Sequence, residues 1–399
     1  MKIFENNLPE YNVIGKEEIE GAIEVLNSGQ LSGFVATPGK AHLGGRYVQK
    51  LEELFCKKFN CKYAASFNSA TSALHGALVA TGISEDDEVI VTTWSMSASA
   101  TSVLMAGATP IFVDIEEEYF CIDPNKILKA ISKKTKAVIA VNLFGMASDL
   151  KKIRKICDTN KLTLIEDNAQ APAAICDNKY TGSYGDISIY SLNRHKTIQC
   201  GEGGVAITDN DKYLHRLRMV RNHAEAVFPE FDDIEKSNGG DDIIGYNYRL
   251  TSLQAAIAIP QVKKLDNLNK HRILLANKLT EMIEDISFLQ APKIRKGCNH
   301  VYYLYPMIFN DEIAGFSRDE FINRMSKEGA PISGYGRPIY RMPLFNLKNS
   351  KNNSNDPKNF PVTEYMWKNI ITTSICRPPL TEKHIDLFVE AIKKVSSLK

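Results

Sequence analysis

The 399-residue sequence has no run of ~18 apolar residues anywhere, so no segment reads as a membrane-spanning helix. Its first 26 residues mix charges with apolar side chains, and the uninterrupted apolar core of a secretory signal is missing. It has no excess of one charge: 49 Lys plus Arg face 47 Asp plus Glu, for a formal net charge of +2. That balance, with no basic tail or arm, argues against a nucleic-acid binder working by bulk charge. The eight cysteines (56, 61, 121, 157, 176, 200, 298 and 376) contain no C-x-x-C, and the eight histidines show no metal-ligand spacing, so no metal site is expected. These absences describe a cytoplasmic protein whose cysteines are reduced thiols, acting mostly as small buried hydrophobes.

What is present is ordinary for a globular chain: 44% apolar and 24% charged residues. At ~150 residues per domain the length allows two to three domains, each able to bury a core without staples. Helical spacing of apolar residues predicts helices over 16–30 and 46–59. Short β-rich runs follow at 88–92, 110–113, 137–141, 162–166, 187–191 and 204–207, alternating with helical patterns near 70–81, 97–107, 125–133 and 148–158. These runs are too apolar to have a wet face, which implies an α/β fold with a mostly parallel sheet covered on both sides. A long helix is predicted at about 252–285, then a strand at 301–309 and helices at 318–328 and 381–397. This last third reads as a smaller α+β domain, giving a division into residues 1–262 and 263–399. The Asn- and Lys-rich segment 346–360 has no periodicity and reads as a mobile surface loop.

In an open α/β sheet, ligands sit beyond the carboxyl ends of the strands, so the residues that follow the β runs are the candidates for chemistry. Ser66 to Leu74 leads small polar residues into an Ala/Leu helix, with Asn68 or Ser69 as cap. Its open N–H groups and the Thr71 hydroxyl suit a phosphate, although a plain N-cap looks the same. Leu164 to Gln170 ends an apolar strand on Glu166 and Asp167; a carboxylate there can hold a protonated ring nitrogen or merely cap the next helix. In the run from Ser191 to Gly204, Lys196 lies just ahead of Gly-Glu-Gly-Gly. A lysine in so cramped a turn can lose its proton and act as a carbonyl-seeking amine, or simply cover the turn. Finally, Gly245 to Ala256 places aromatic residues around Asn247 and Arg249 ahead of a capped helix, as an anion site, a subunit contact or plain loop packing would. A phosphate cradle, an acid for a ring nitrogen and an amine for an aldehyde are together the requirements of pyridoxal 5′-phosphate (PLP).

The order of these motifs (E-D-x-A-Q, S-x-x-x-x-K-x-x-x-x-G-E-G-G and G-Y-N-Y-R ahead of Q-A-A) resembles the DegT/DnrJ/EryC1/StrS family of PLP-dependent aminotransferases, from about residue 28 to the C-terminal helix. The resemblance implies fold type I, with a mostly parallel seven-stranded sheet, and an enzyme that alternates between PLP and pyridoxamine phosphate. It implies that Lys196 forms the Schiff base and moves the proton, that Asp167 pairs with the ring nitrogen, and that Gln170 lies near the ring hydroxyl. Ala70, Thr71 and Ser191 would hold the phosphate, while Asn247 would reach the cofactor of a neighbouring subunit and make the active unit a homodimer. Arg249 is a weaker transfer.

The family's ring-stacking aromatic is replaced here: the segment Thr93 to Ser99 offers Met96 by register and Trp94 two residues earlier, and the sequence does not choose between them. The segment Ser333 to Arg341 would form the mouth of the site, making Tyr335, Arg337, Tyr340 and Arg341 candidate substrate contacts. The implied reaction moves an amino group from glutamate to a keto group of a nucleotide-linked keto-deoxysugar. Two alternatives remain within the fold: a glutamine-dependent keto-cyclitol aminotransferase, and a sugar dehydratase, which carries His at the lysine position. Counting back from Gly201 puts Lys196 at that position, with His195 an ordinary neighbour.

Overall fold

A computed structural model describes residues 2–4, 8–37, 39–224, 243–346 and 355–397. Two N-terminal helices, α1 (Lys16–Ser28) and α2 (Arg46–Phe59), precede an alternating series. It runs β1 (Tyr63–Phe67), α3 (Ala70–Ala80), β2 (Glu88–Thr92), α4 (Ala98–Met105), β3 (Thr109–Val113), α5 (Pro124–Ala130) and β4 (Thr135–Val141). It continues with α6 (Leu150–Asn160), β5 (Thr163–Asp167), a hairpin of β6 (Ile175–Cys176) and β7 (Lys179–Tyr180), β8 (Ile187–Ser191), β9 (Gly204–Thr208) and α7 (Asp211–Arg221). The long helix α8 (Ser252–Ile283) leads to β10 (Leu289–Gln290), β11 (Tyr305–Phe309), α9 (Asp311–Ala314), α10 (Arg318–Lys327) and β12 (Ile332–Ser333). The chain closes with α11 (Pro361–Asn369), β13 (Ile370–Thr373) and α12 (Glu382–Ser396).

Seven strands form one sheet in the order β1-β9-β8-β5-β4-β2-β3. The four pairs from β8 to β3 are parallel, and only β9 runs against its two neighbours. Side chains alternate between two buried faces: Val89 and Val91 of β2 enter one cluster with α3 and α4, whereas Ile90 enters another with α5 and α6. Burial on both faces explains why these strands read as continuous apolar runs. β1 is absent from the sequence reading because Tyr-Ala-Ala-Ser-Phe has little β-branched character. It is held as a strand by pairing with β9, from Tyr63 opposite Thr208 to Phe67 opposite Gly204. The expected strand at 301–309 begins only at Tyr305, since Tyr302 takes a left-handed backbone (φ 49°).

A four-stranded sheet, β10-β11-β13-β12, packs with α10 and α12 into a second core. Helix α8 belongs to both units: Ala255, Ala258 and Val262 pack with α2, and Leu275, Leu279 and Ile283 pack in the second core. Ile339, Tyr340, Phe360 and Met366 return from the C-terminal third into the core of the large sheet. Most of the segment read as a mobile loop, residues 347–354, lies outside the described residues; Pro357–Asn359 forms a single turn.

The expectation of reduced cysteines throughout is corrected at one pair. Cys176 and Cys298, 122 residues apart, are joined as a disulfide. The hairpin β6–β7 and the segment before β11 meet there in a β-bridge, a contact that local spacing cannot reveal. Cys56, Cys61, Cys121, Cys157, Cys200 and Cys376 are free.

His300 lies in the same segment, 3% exposed. Its Nδ1 accepts the Tyr302 N–H at 2.9 Å, a role open only to the neutral ring. Burial holds its pKa at about 3. Since the unfolded ring titrates near ~6.5, the unfolded state gains the proton first as pH falls, and stability is lost below that value. From pH 7 to 5 this one group costs about 2 kcal/mol. Urea titrations at pH 7 and pH 5 should show that loss in the wild type and a smaller one in His300→Gln.

Candidate active site

The carboxyl ends of β1, β2, β4, β5 and β8 and the start of antiparallel β9 converge on one cavity of about 330 Å³. That volume falls within the ~300–1,000 Å³ of small-molecule sites. Its lining includes Ser69, Ala70, Thr71, Met96, Asp167, Gln170, Ser191, His195, Lys196 and Tyr303. A larger cavity of about 490 Å³ lies at the β3 edge, but of its four charged residues Asp114 and Lys126 are paired at 2.8 Å and Glu88 accepts from Ser132 and Thr135, which leaves Lys129.

Helix α3 opens onto this cavity. Ser69 caps it, its Oγ accepting the Ser72 N–H at 3.1 Å. Ala70 and Thr71 are the first two helical residues, whose N–H groups have no acceptor within the helix and carry its positive end. Gly204 makes this possible. A Cβ there would lie 2.5 Å from the Ser69 carbonyl and 2.6 Å from the Ala70 nitrogen. Gly204→Ala is therefore expected to push the helix start away from the cavity. The expected cost is about 1–3 kcal/mol of stability and weakened cofactor binding, measurable by thermal denaturation and cofactor titration.

Lys196 sits in the connection from β8 to β9, which folds back on itself. Leu192 N–H donates to Gly203 O at 2.8 Å, Arg194 N–H to Gly201 O at 2.9 Å and Lys196 N–H to Asn193 O at 2.9 Å. Gly201 takes the left-handed conformation that this reversal needs (φ 87°). From outside, the Tyr11 hydroxyl donates to the carbonyls of Lys196 (3.1 Å) and Thr197 (2.9 Å). The Lys196 ammonium lies 4.5 Å from the centre of the Tyr303 ring.

Asp167 ends β5 and is 5% exposed. Burial raises its pKa, opposed by the Ala169 N–H on Oδ1 (3.1 Å), the Ser99 hydroxyl on Oδ2 (2.9 Å) and the charge of Lys196. The neighbouring Glu166 faces the other way and accepts backbone N–H groups of Gly182, Tyr184 and Gly185, so it is a structural anchor. Gln170 accepts the Phe144 N–H at 2.8 Å and donates to the Tyr335 hydroxyl at 3.2 Å.

The two ring-stacking candidates separate. Met96 lines the cavity and is 64% exposed. Trp94 does not line it: fully buried, it donates its indole N–H to Gly336 O at 2.7 Å and packs edge-on to Tyr335. The mouth segment is corrected too. Tyr340 is fully buried, its hydroxyl donating to Glu364. Arg341 is held in a bidentate pair with the same carboxylate at 2.7 and 2.6 Å, so neither side chain is available to a substrate. Tyr335 reaches the cavity wall through Gln170, and Arg337 is exposed. Asn247 lies outside this chain's cavity lining, its side-chain oxygen accepting from Arg249 at 2.8 Å, and Arg249 also reaches Asn222. His195 lines the cavity from its exposed rim; burial and then the nearby arginines depress its pKa. Sequence reasoning passed over Ser99, Tyr303 and Tyr11, because nothing local marks a serine, or tyrosines about a hundred or more residues away, as partners of the motif lysine and acid.

A chamber with an open helix N-terminus on one wall, a buried carboxylate on another and an amine between them has the groups that PLP needs for its phosphate, ring nitrogen and aldehyde. Comparison with known proteins agrees. The sequence pattern of the DegT/DnrJ/EryC1/StrS aminotransferase family matches residues 13–393. GDP-perosamine synthase of Escherichia coli O157:H7 is 32% identical over 357 residues, 89% of this chain and 92% of that protein. The spore coat polysaccharide biosynthesis protein SpsC of Bacillus subtilis is 30% identical over 390 residues, 96% of this chain and 95% of its own. The crystal structure of NtdA from Bacillus subtilis with bound cofactor PMP superposes with a TM-score of 0.79 at 26% identity, covering 96% of this chain and 83% of that one. Fold and site thus define a PLP-dependent aminotransferase of fold type I. The chain belongs to the DegT/DnrJ/EryC1/StrS aminotransferase family.

Proposed function

We propose that this enzyme transfers the amino group of L-glutamate to a keto group of a nucleotide-linked keto-deoxysugar, making an amino sugar. The observation that carries the reading is the meeting of Lys196 and Asp167 in one cavity beneath the start of α3. The names of the relatives, a GDP-perosamine synthase and a spore coat polysaccharide protein, support the substrate class. Bound at this site, the cofactor supplies an electron sink for the substrate carbon. The chain's residues do the rest. The Ala70 and Thr71 amides with Ser191 hold the phosphate, Asp167 holds the ring nitrogen proton, and Met96 covers the ring. Lys196 is the amine that would hold the cofactor's aldehyde end, and its Nζ would hold and move the proton at the substrate carbon. A lysine amine at this place favours amino transfer over dehydration on the same fold.

The active unit in this reading is a homodimer in the cytoplasm. Supporting the dimer, α1 exposes Ile19, Ile23 and Leu26 (53%, 50% and 56%) at helical spacing, and Met96 leaves the cavity open at the surface. Asn247 lies outside its own cavity, and in this reading it serves the partner's. No helix among the described residues is long and apolar enough to cross a membrane. The test is incubation of purified protein with L-glutamate and a panel of nucleotide-linked keto-sugars, following 2-oxoglutarate. Release that depends on one such acceptor is expected; no release with any acceptor, from glutamate or glutamine, would count against the reading.

A further inference from the structure

The segment that carries Asn247 is held from two directions. Its backbone pairs with the end of α7: Tyr246 N–H donates to Val220 O at 2.8 Å and Tyr248 N–H to Arg221 O at 2.9 Å. Asn68, just past β1, donates its N–H to Tyr248 O at 2.7 Å. Asn247 itself forms a β-bridge with Asn222, and alternate residues of such a segment face the same side. Tyr246 and Tyr248 accordingly stack on each other, ring centres 4.9 Å apart and 4° from parallel, while Asn247 between them is exposed. Arginine only donates, so the Arg249 Nε at 2.8 Å takes the Asn247 amide oxygen and leaves the NH2 end turned away from it.

Both rings meet His75, in the middle of α3. The imidazole is 1% exposed and stands edge-on to the two tyrosines, at 5.1 and 5.9 Å between ring centres. Burial depresses its pKa and keeps it neutral. One nitrogen donates to the carbonyl of Met105, the last residue of α4. The other, Nδ1, lies 3.1 Å from the Tyr248 hydroxyl. With its single N–H given to a carbonyl, the neutral ring offers a lone pair at Nδ1, and the Tyr248 hydroxyl donates to it. Its helix neighbours Leu74, Gly76, Ala77 and Leu78 are apolar and buried. An imidazole among them is costly unless both nitrogens are bonded, and both are. A leucine could pack against the same rings, but only the hydroxyl–imidazole bond gives Tyr248 a fixed direction. The helix that opens on this chain's cavity at Ala70 and Thr71 thus also holds the segment that leads away from it.

We propose that His75 is a positioning residue: by accepting the Tyr248 hydroxyl it sets the direction in which Asn247 presents its amide to the cofactor phosphate of the partner subunit. This rests on the shared-site reading above, in which Asn247 serves the partner.

The test measures binding of pyridoxamine 5′-phosphate to the cofactor-free protein by calorimetry. This form of the cofactor needs no bond to Lys196, so the readout is independent of turnover. Melting temperature and mass in solution check the fold and assembly of each variant. Asn247→Ala is expected to weaken binding about tenfold, and His75→Leu about three- to tenfold, the worth of one hydrogen bond. Tyr248→Phe, which keeps the ring and loses the hydroxyl, is expected to match His75→Leu, and it carries the test if the leucine variant does not fold. His75→Gln, whose amide can donate to Met105 and accept from Tyr248, is expected to stay within about twofold of wild type. Combined variants decide the matter. In an Asn247→Ala background, His75→Leu and Tyr248→Phe should cost nothing further, because the group they position is gone. A histidine that only packs α3 would weaken binding equally in both backgrounds. That result, or unchanged binding in His75→Leu and Tyr248→Phe, overturns the proposal while leaving Asn247 its role. Unchanged binding in Asn247→Ala overturns the shared-site reading, and the role of His75 with it.

Discussion

Lys196→Ala is expected to lower amino transfer by about 10³-fold or more and to abolish the visible absorption that a lysine-bound cofactor gives the purified protein. The physical reason lies in how the amine is held. The folded-back β8–β9 connection fixes the Lys196 backbone, and Tyr303 lies 4.5 Å from its ammonium, so no other cavity-lining amine is placed to substitute. Both readouts are needed. Spectroscopy of the variant shows whether the covalent attachment is lost, and the rate of 2-oxoglutarate formation shows whether proton transfer is lost with it. A variant with near wild-type turnover would remove Lys196 from the chemistry and revive a non-transaminating use of the fold.

Asp167→Asn is expected to act in opposite directions on activity and on stability. The neutral amide keeps the approximate shape but cannot hold a protonated ring nitrogen, so the turnover rate should fall about 10²–10³-fold, the usual effect of removing one oriented electrostatic partner. In the cofactor-free protein, however, the carboxylate is buried, and burial raises its pKa despite the Ser99 and Ala169 donors. A carboxyl whose pKa is higher folded than unfolded makes the fold less stable as pH rises through that interval. The charge at position 167 is thus a stability cost at neutral pH, offset when the cofactor's cation binds. Asp167→Asn should therefore melt at a higher temperature than wild type when both lack cofactor, and the difference should shrink or reverse when both are saturated with PLP. Scanning calorimetry with and without cofactor measures both; an Asn variant that is less stable in the cofactor-free state would contradict this account.

Most of what the sequence disclosed was local. Period-3.6 and continuous apolar runs located the helices and buried strands, because a parallel sheet covered on both sides leaves no wet face. The rule that ligands sit beyond strand carboxyl ends then brought forward Thr71, Asp167, Ser191 and Lys196, each within a few residues of such an end, and the structure brings all four to one cavity. Where the reading failed, a distant partner had decided the matter. Tyr340 and Arg341 look like substrate contacts until Glu364 takes both; Trp94 looks like a ring cover until Gly336 anchors it inward. Cys176 reads as a reduced thiol until Cys298 meets it, and β1 goes unread until β9 supplies its ladder.

The sequence by itself therefore determined the order of the elements, the cofactor chemistry and the amine and acid that serve it, since each follows from residues adjacent along the chain. Only the tertiary structure decided which polar side chains are already spent on one another and which stay free. Arg341 is taken by Glu364 and Trp94 by Gly336, while Lys196 and Asp167 are left facing one cavity, because hydrogen-bonding capacity is filled by whatever folding brings within about 3 Å, and chain separation carries no record of that distance.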